Sequence, residues 1–379
     1  MAPRGPALRR RAGRGRATAR EGGFAARFRC HRLAVREQSK LDCADMRRAL
    51  LLLAILLVLA LLWLLRPLEP VAAPAFRASA DYDAGVERLF ELLGRDSLAL
   101  HEGCGTTALL TGARAPRAFV LLHGITNCPL QFLALAESLR AGGDNVLVPR
   151  VDHHGLGDRM TADLANLRAE ELAALVTECA GIARGLGDTV VVCGLSTSGV
   201  AAAWAGVSLP GVDRAVVIAP AFSPPWEPGW IAPAVTRLSL RLPNTFVWWN
   251  DEKKEALDGP AQCYPRFSSR AMGECYRLGE DAMRRLAARG PAARDVAVVT
   301  SLADGAVDNA RAHGFAERCR PGGARVREFA FAAGDSVVHD MIDPQQVGAR
   351  IGVSYPVLLR FLRGAATPGA AAAARDAAS

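Results

Sequence analysis

Residues 189–199 read TVVVCGLSTSG, and this stretch decides the fold. Its first part, Thr189–Cys193, is a continuous β-branched run, which is typical of a strand buried on both faces of a parallel sheet. The small, apolar segment Ser198–Val207 suits a tightly packed helix. The pattern therefore predicts a strand, a sharp turn and a helix in succession, with Ser196 in the turn.

This turn has the geometry that a nucleophilic serine needs. It lifts the hydroxyl clear of the sheet, and the following helix N-terminus offers backbone N–H groups and a positive dipole end. The residues two before and two after the serine must be small, and here they are Gly194 and Ser198. The usual pattern is GxSxG, so Ser198 is a departure from it. If Ser198 were itself the nucleophile, Val200 would occupy the position two residues after it, where a small residue is required. Ser196 is the predicted nucleophile, and a Ser/Gly-rich turn without chemistry is the alternative.

Short β-rich runs alternate with amphipathic stretches over residues 81–363. This alternation predicts an α/β domain built on a mostly parallel, doubly wound sheet. The other predicted strands are Ala118–Leu122, Asn145–Pro149, Ala215–Ala219, Val296–Thr300 and Arg327–Phe331. The other predicted helices are Pro129–Arg140, Ala169–Arg184 and Ser354–Arg363.

One long segment, residues 222–294, interrupts this alternation. It holds most of the large aromatic residues of the domain, namely Trp226, Trp230, Phe246, Trp248, Trp249, Tyr264, Phe267 and Tyr276. Loops of this length are usually functional, so the segment is predicted to be a cap or lid. The alternative is a peripheral helical insertion that packs on the sheet with its aromatic residues as core.

Polar residues follow three of the other predicted strands. A His-Gly pair (residues 123–124) follows the first strand, Asp304 and Asp308 follow the strand at 296–300, and His339 follows the last strand. An open α/β sheet builds its site where its strands end, so these residues are expected to converge. Asp304 is preferred to Asp308 because it stands nearer the strand end.

Four segments resemble those of the α/β-hydrolase superfamily, and most closely those of bacterial carboxylesterases and monoacylglycerol-lipase-like enzymes. They are LLHGITNCPLQF (121–132), CGLSTSG (193–199), TSLADGAVD (300–308) and VHDMI (338–342). The resemblance covers roughly residues 100–363. It implies an α/β-hydrolase fold, with residues 222–294 as its helical cap or lid insertion, and a serine hydrolase. No cofactor or metal is indicated by the sequence.

The resemblance also implies a role for each site residue. It implies that Ser196 is the nucleophile, that His339 is the base and that Asp304 is the acid that orients this base. It further implies an oxyanion hole formed by the backbone N–H groups of Ile125 and Thr197. The serine would form an acyl-enzyme intermediate with an ester substrate.

Other polar residues carry weaker patterns. His123 is predicted to shape the oxyanion loop (residues 123–127) by hydrogen bonds. Asp152-His153-His154 (152–154) follows a strand, but no third ligand stands at a suitable spacing. We therefore expect a loop at the rim of the site rather than a metal site. Asp340 is expected to be a carboxylate at a helix N-terminus.

The first 66 residues lie outside the predicted domain. Residues 1–45 carry twelve basic and four acidic side chains, so they account for the whole net charge of +8 and indicate no nucleic-acid-binding face. They are predicted to be a disordered tail, or upstream sequence if the true start is Met46. Residues 46–66, with an apolar run from Ala49 to Leu65, are predicted to be a signal anchor, with a cleaved signal as the alternative.

An uncleaved anchor and a cleaved signal both predict that the domain lies outside the cytoplasm, because the basic residues precede the apolar run. Residues 67–80 are predicted to be a linker and residues 364–379 a disordered tail. Seven of the nine cysteines follow the anchor. Cys104–Cys128 and Cys263–Cys275 are candidate disulfides.

The leading functional hypothesis is a membrane-anchored or exported serine ester hydrolase. Its expected substrates are esters of lipids or small-molecule alcohols, since both the aromatic insertion and the anchor favour an apolar substrate. A peptidase or amidase with the same triad is an alternative, because leaving-group choice depends on pocket shape. A non-catalytic binding protein on a hydrolase scaffold is the alternative from another class. The oligomeric state is not indicated.

Overall fold

The computed structural model describes residues 45–96, 99–226 and 229–364, in two units that divide between Trp63 and Leu64. The predicted tails therefore lie almost entirely outside the described residues. Among the described residues, one helix, α1 (Asp45–Leu65), is long and apolar enough to cross a membrane, and none of its most apolar stretch is buried. This exposure distinguishes it from the core helix of a soluble domain.

The second unit is built on a seven-stranded sheet. Its strands are β1 (Thr107–Leu109), β2 (Ala115–Leu122), β3 (Asn145–Val148), β4 (Gly187–Leu195), β5 (Arg214–Ile218), β8 (Asp295–Ser301) and β9 (Arg325–Phe331), while β6 (Phe246–Trp248) and β7 (Arg266–Ser268) form a separate antiparallel pair. The order is β1-β3-β2-β4-β5-β8-β9, and every pairing except β1 with β3 is parallel. The predicted α/β-hydrolase fold class is confirmed.

Helices cover both faces of this sheet. In the described part of this unit the helices are α2 (Tyr82–Leu93), α3 (Leu133–Ala141), α4 (Ala169–Leu186), α5 (Thr197–Ser208), α6 (Ala232–Arg241), α7 (Ser269–Arg289), α8 (Asn309–Cys319) and α9 (Ile351–Arg363). Of these, α2 packs on α4 and α6 packs on α7. Alternate residues of β2 enter two separate cores: Val120 packs with α4 and α5, whereas Phe119 and Leu121 pack with α3 and α9. A strand buried on both faces must be apolar throughout, which is why β4 could be predicted from its composition.

The segment 222–294 divides into two parts. The first contains α6, β6 and β7, and the second is α7, which packs against α5. Tyr264 and Tyr276 are buried, whereas Trp226 and Trp230 are 72% and 81% exposed. The segment thus consists of one helix, α7, packed in the domain core and a second part whose two strands are separate from the main sheet.

The segment 67–80 contains no helix or strand, but it lies along the domain. Val71 is buried, the Arg277 guanidinium donates to the Glu69 carbonyl, and the Ser79 N–H donates to the Gly181 carbonyl over 2.9 Å. These contacts hold the segment against α4 and α7.

One of the two candidate disulfides is present. Cys104 and Cys128 are bonded, which fastens the segment before β1 to the residue that follows the oxyanion loop. The pairing of Cys263 with Cys275 was wrong, and both are free thiols. Cys275 is a residue of α7 and is buried in the core, whereas Cys263 lies in the loop before β7 and is partly exposed.

The turn between β4 and α5 is very tight. Ser196 has φ 61° and ψ −119°, and its N–H donates to the Ile218 carbonyl over 2.9 Å. A Cβ on Gly194 would lie 1.9 Å from the Ser198 carbonyl oxygen, so only glycine fits there. A Cβ on Gly199 would lie 2.8 Å from the Ile218 carbonyl oxygen. The close approach of α5 to the sheet therefore requires glycine at 199, and Ser198 is accommodated as a buried residue.

Replacing Gly194 by Ala is expected to lower the free energy of unfolding by about 1–3 kcal/mol or more, because the methyl group overlaps backbone that has to move. Urea denaturation followed by circular dichroism measures this loss. Gly352→Ala is the control, since a Cβ at this position in α9 meets no atom within 4 Å. Equal stability of the two variants would contradict the packing described for the turn.

Candidate active site

The carboxyl ends of three parallel strands bring Ser196, Asp304 and His339 to one edge of the sheet. The His339 Nδ1 lies 2.6 Å from the Asp304 Oδ2. The Asp304 side chain is fully buried, and its Oδ1 accepts the Ala306 N–H over 2.8 Å. A carboxylate can only accept, so the Nδ1 of a neutral His339 carries the proton and its Nε2 is left as the acceptor.

Ser196 and His339 line the same cavity, whose volume is about 330 Å³. Its lining is largely apolar, with the side chains of Ile125, Leu195, Trp249, Leu257, Val338 and Val347. Besides Ser196 and His339, its polar lining residues are Thr126, Asn127, Gln131, Asp258, Asp340 and Gln346. Ser196 and His339 therefore face one largely apolar pocket, of the kind that binds small molecules with an apolar portion.

Asp308, the second candidate acid, has a different role. It is the N-cap of α8, and its Oδ1 accepts the Ala310 N–H over 2.9 Å. Asp304 lies in the loop that leaves β8 and is the carboxylate in contact with the imidazole of His339.

The oxyanion loop (residues 123–127) lies directly against Ser196. A Cβ on Gly124 would lie 3.7 Å from the Cβ of Ser196, and the next residue, Ile125, lines the cavity. Thr197, the other predicted donor, is the first residue of α5 and is buried; in the described part of the chain it is not among the residues that line the cavity.

The segment 222–268 holds the oxyanion loop in its conformation. Thr126 has φ 66°, an uncommon value for a residue other than glycine. Its Oγ1 accepts the indole N–H of Trp249 over 3.0 Å, and its carbonyl accepts the Tyr264 N–H over 2.8 Å. Neither contact was predicted, because the sequence pattern does not reveal which aromatic residue reaches this loop.

His123 shapes the oxyanion loop, as expected. Its Nε2 accepts the Val151 N–H over 3.0 Å, so its Nδ1 carries the proton and donates to the Gly124 carbonyl over 3.0 Å. Burial lowers the pKa of His123 well below its usual value, and the neighbouring His154 lowers this pKa further. His123 is therefore a neutral structural residue at neutral pH.

The stretch Asp152-His153-His154 does not gather into a shared ligand set. His153 Nδ1 lies 2.9 Å from the Asp163 carboxylate, while His154 Nδ1 lies 2.8 Å from the Asp152 carbonyl. In the described part of the chain, the one group with three converging ligand atoms is His313, Glu317 and Glu328 on the surface, where Arg320 binds both carboxylates.

Asp340 does not lie at a helix N-terminus, so that expectation was wrong. It lies in the loop between β9 and α9, where its Oδ1 accepts the N–H groups of Ile342 and Asp343 over 3.2 and 3.1 Å. Its Oδ2 accepts the amide of Gln131, a residue that sequence reasoning did not select.

The parallel sheet, the tight turn and the three converging loops define an α/β hydrolase. The family described as "Serine aminopeptidase, S33" matches residues 113–332, more than half of the sequence, and the chain belongs to this family of hydrolases. The matched range contains Ser196 and Asp304 but ends before His339. The placement of His339 beside Asp304 therefore rests on the structure and not on the family match.

Solved structures of similar fold include one described under the metagenome-derived lipolytic enzymes LipS and LipT. That chain has 18% identity and a TM-score of 0.52, and the alignment covers 70% of this chain and 99% of that one. The monoacylglycerol lipase of Paleococcus ferrophilus has 16% identity and a TM-score of 0.50, with coverage of 68% and 97%. The comparison with curated proteins gives no match.

Replacing His154 by Gln is expected to change how stability depends on pH. Burial lowers the pKa of His154 to about 4, against about 6.5 in the unfolded chain. Between these values only the unfolded state takes the proton, so stability is lost as the pH falls. The variant lacks this loss and is expected to gain about 3 kcal/mol relative to the wild type between pH 7 and pH 4.

Urea titrations at several pH values measure this difference, to which His123 contributes in the same direction, because its pKa is lowered less when His154 is absent. His101→Gln is the control and is expected to keep the pH dependence of the wild type. Parallel stability curves for the wild type and His154→Gln would refute the prediction.

Proposed function

We propose that this hydrolase cleaves carboxylic esters with Ser196 as the nucleophile and His339 as the base. The observation that carries the proposal is the 2.6 Å contact between His339 and Asp304 at the cavity that Ser196 also lines. Nucleophile, base and orienting acid is the arrangement that activates a serine hydroxyl.

The proposed reaction follows from these positions. The Nε2 of His339 takes the hydroxyl proton as the Oγ of Ser196 attacks the acyl carbon, and Asp304 stabilises the imidazolium that forms. The N–H groups of Ile125 and Thr197 stabilise the tetrahedral oxyanion, an effect worth roughly 3–4 kcal/mol per donor in other enzymes. His339 then protonates the departing alcohol, and water hydrolyses the acyl-enzyme by the same route.

The lining of the cavity supports an ester with an apolar acyl or alcohol group. Ile125, Leu195 and Val338 stand beside Ser196 and His339 in the lining. The two structural relatives are described as a lipolytic enzyme and a monoacylglycerol lipase, which agrees with such a substrate. A peptidase or amidase is the second candidate, because the family description names a serine aminopeptidase.

A fluorophosphonate probe is expected to label the wild-type chain but not Ser196→Ala, because the probe reacts with an activated serine. Asp304→Asn is expected to lower kcat/KM on a p-nitrophenyl ester by about 10⁴-fold, since the amide favours the wrong imidazole tautomer. Asp308→Asn is the matched control and is expected to remain active.

A p-nitrophenyl ester chain-length series, set against aminoacyl anilides, separates the two candidate reactions. Faster turnover of the esters, rising with acyl length, is the expected result. Preferential hydrolysis of the anilides would replace the esterase by the peptidase. Labelling that survives in Ser196→Ala would remove the serine mechanism proposed here.

We also propose that α1 anchors the domain at the outer face of a membrane. Arg47 and Arg48 precede the apolar run, and the Cys104–Cys128 disulfide suits an oxidising compartment.

The full chain is expected to stay in the membrane pellet after alkaline carbonate washing. Leu56→Arg with Leu57→Arg is expected to release it, since each central charge costs about 3 kcal/mol. Release of the unsubstituted chain would favour a cleaved signal.

A further inference from the structure

The side-chain amide of Gln131 joins the oxyanion loop to the loop that carries His339. Its Oε1 accepts the Gly124 N–H over 2.8 Å, and its Nε2 donates to the Asp340 Oδ2 over 2.7 Å. Gly124 directly precedes Ile125, and Asp340 directly follows His339. One side chain therefore connects a proposed oxyanion donor with the proposed base.

Each atom of this bridge has a fixed role. A backbone N–H only donates and a carboxylate only accepts, so the Gln131 amide satisfies both partners in one orientation. The orientation of the Asp340 carboxylate is fixed as well, because its Oδ1 accepts the N–H groups of Ile342 and Asp343. Gln131 is 4% exposed, so water does not readily replace these hydrogen bonds.

A second, longer amide contact runs parallel to the first. The Nε2 of Gln262 lies 3.4 Å from both the Asn127 Oδ1 and the Asp343 Oδ2. Asn127 ends the oxyanion loop, and Asp343 follows Asp340 in the same turn. Both links pair an amide with a carboxylate, but the Gln131 contacts are 0.6–0.7 Å shorter, so they are the stronger link.

We propose that Gln131 and Asp340 are positioning residues that fix the position of the oxyanion donor, Ile125, relative to the base, His339. Neither is assigned a chemical step. The inference rests on the proposed function, in which Ile125 and His339 act on the same tetrahedral intermediate. Such groups have to be held within about 0.5 Å of the productive geometry, and a displacement of about 1 Å costs on the order of 10²-fold in rate.

Exchanging the polarity of the pair tests this proposal. In Gln131→Glu two carboxylates face each other. In Asp340→Asn the new amide N–H group faces either the Gln131 amide or the backbone N–H groups of Ile342 and Asp343, so two donors meet. Each single variant is expected to lower kcat on a p-nitrophenyl ester at least about 10-fold with KM changed less than about 3-fold.

The double variant Gln131→Glu with Asp340→Asn restores a complementary pair. The carboxylate introduced by the first substitution can accept from both the Gly124 N–H and the new amide, whose oxygen accepts from the turn. The kcat of the double variant is expected to return to within about 3-fold of the wild type, which is a large coupling in a double-mutant cycle. General loss of stability does not predict such recovery in kcat.

Gln345→Glu is the matched control, because it adds the same charge at an exposed position of the His339 loop. It is expected to keep wild-type kcat and KM. If a single variant does not fold, Gln131→Met removes both hydrogen bonds at similar volume, and the same loss in kcat is expected. Wild-type kcat in the single variants, or a double variant no better than the singles, overturns the inference.

Labelling by the fluorophosphonate probe separates the positioning role of Gln131 and Asp340 from the serine mechanism itself. If the wild type is not labelled by the fluorophosphonate probe, the serine mechanism fails and the positioning role fails with it. If the wild type is labelled but the Gln131 and Asp340 variants keep full kcat, only the positioning role is refuted.

Discussion

The contact between the end of β4 and the start of α5 is the constraint on which the rest of the structure depends. Gly194 lies against the Ser198 carbonyl oxygen and Gly199 against the Ile218 carbonyl oxygen, so neither position has room for a Cβ. Ser196 adopts a positive φ between them, and its carbonyl accepts the Ala221 N–H over 3.1 Å. A strained residue persists only when its surroundings determine its conformation this completely, and such residues cluster at functional sites.

The loops around Ser196 are held by buried polar contacts rather than by regular structure. Trp249 and Tyr264 fasten Thr126, the disulfide fastens Cys128, and Gln131 joins Gly124 to the loop of His339. Loops with few contacts open readily, whereas cross-linked loops can hold donors and acceptors in place before a substrate arrives. The segment 222–268 therefore contributes to the geometry of the site as well as to its walls.

Prediction from sequence succeeded where burial imposes a strong pattern. The central strands are apolar on both faces, and the predicted runs 118–122, 189–193 and 296–300 all lie within observed strands. It missed β1, which is three residues long and half-buried, because a short edge strand lacks this pattern. It also placed Asp340 at a helix N-terminus, because a loop that folds back into a turn looks the same in sequence.

The sequence by itself determined the parallel sheet, the tight turn at Ser196 and the chain order of the loops, because burial and backbone sterics act over a few neighbouring residues. The tertiary structure showed that Asp304, the acid preferred from the sequence, contacts His339, and it decided between the two candidate disulfides, since Cys104 is bonded to Cys128 while Cys263 stays free. It alone joined Gln131 to Asp340, which are 209 positions apart. Hydrogen bonds between such distant residues depend on how the whole chain packs, and local sequence carries no record of that.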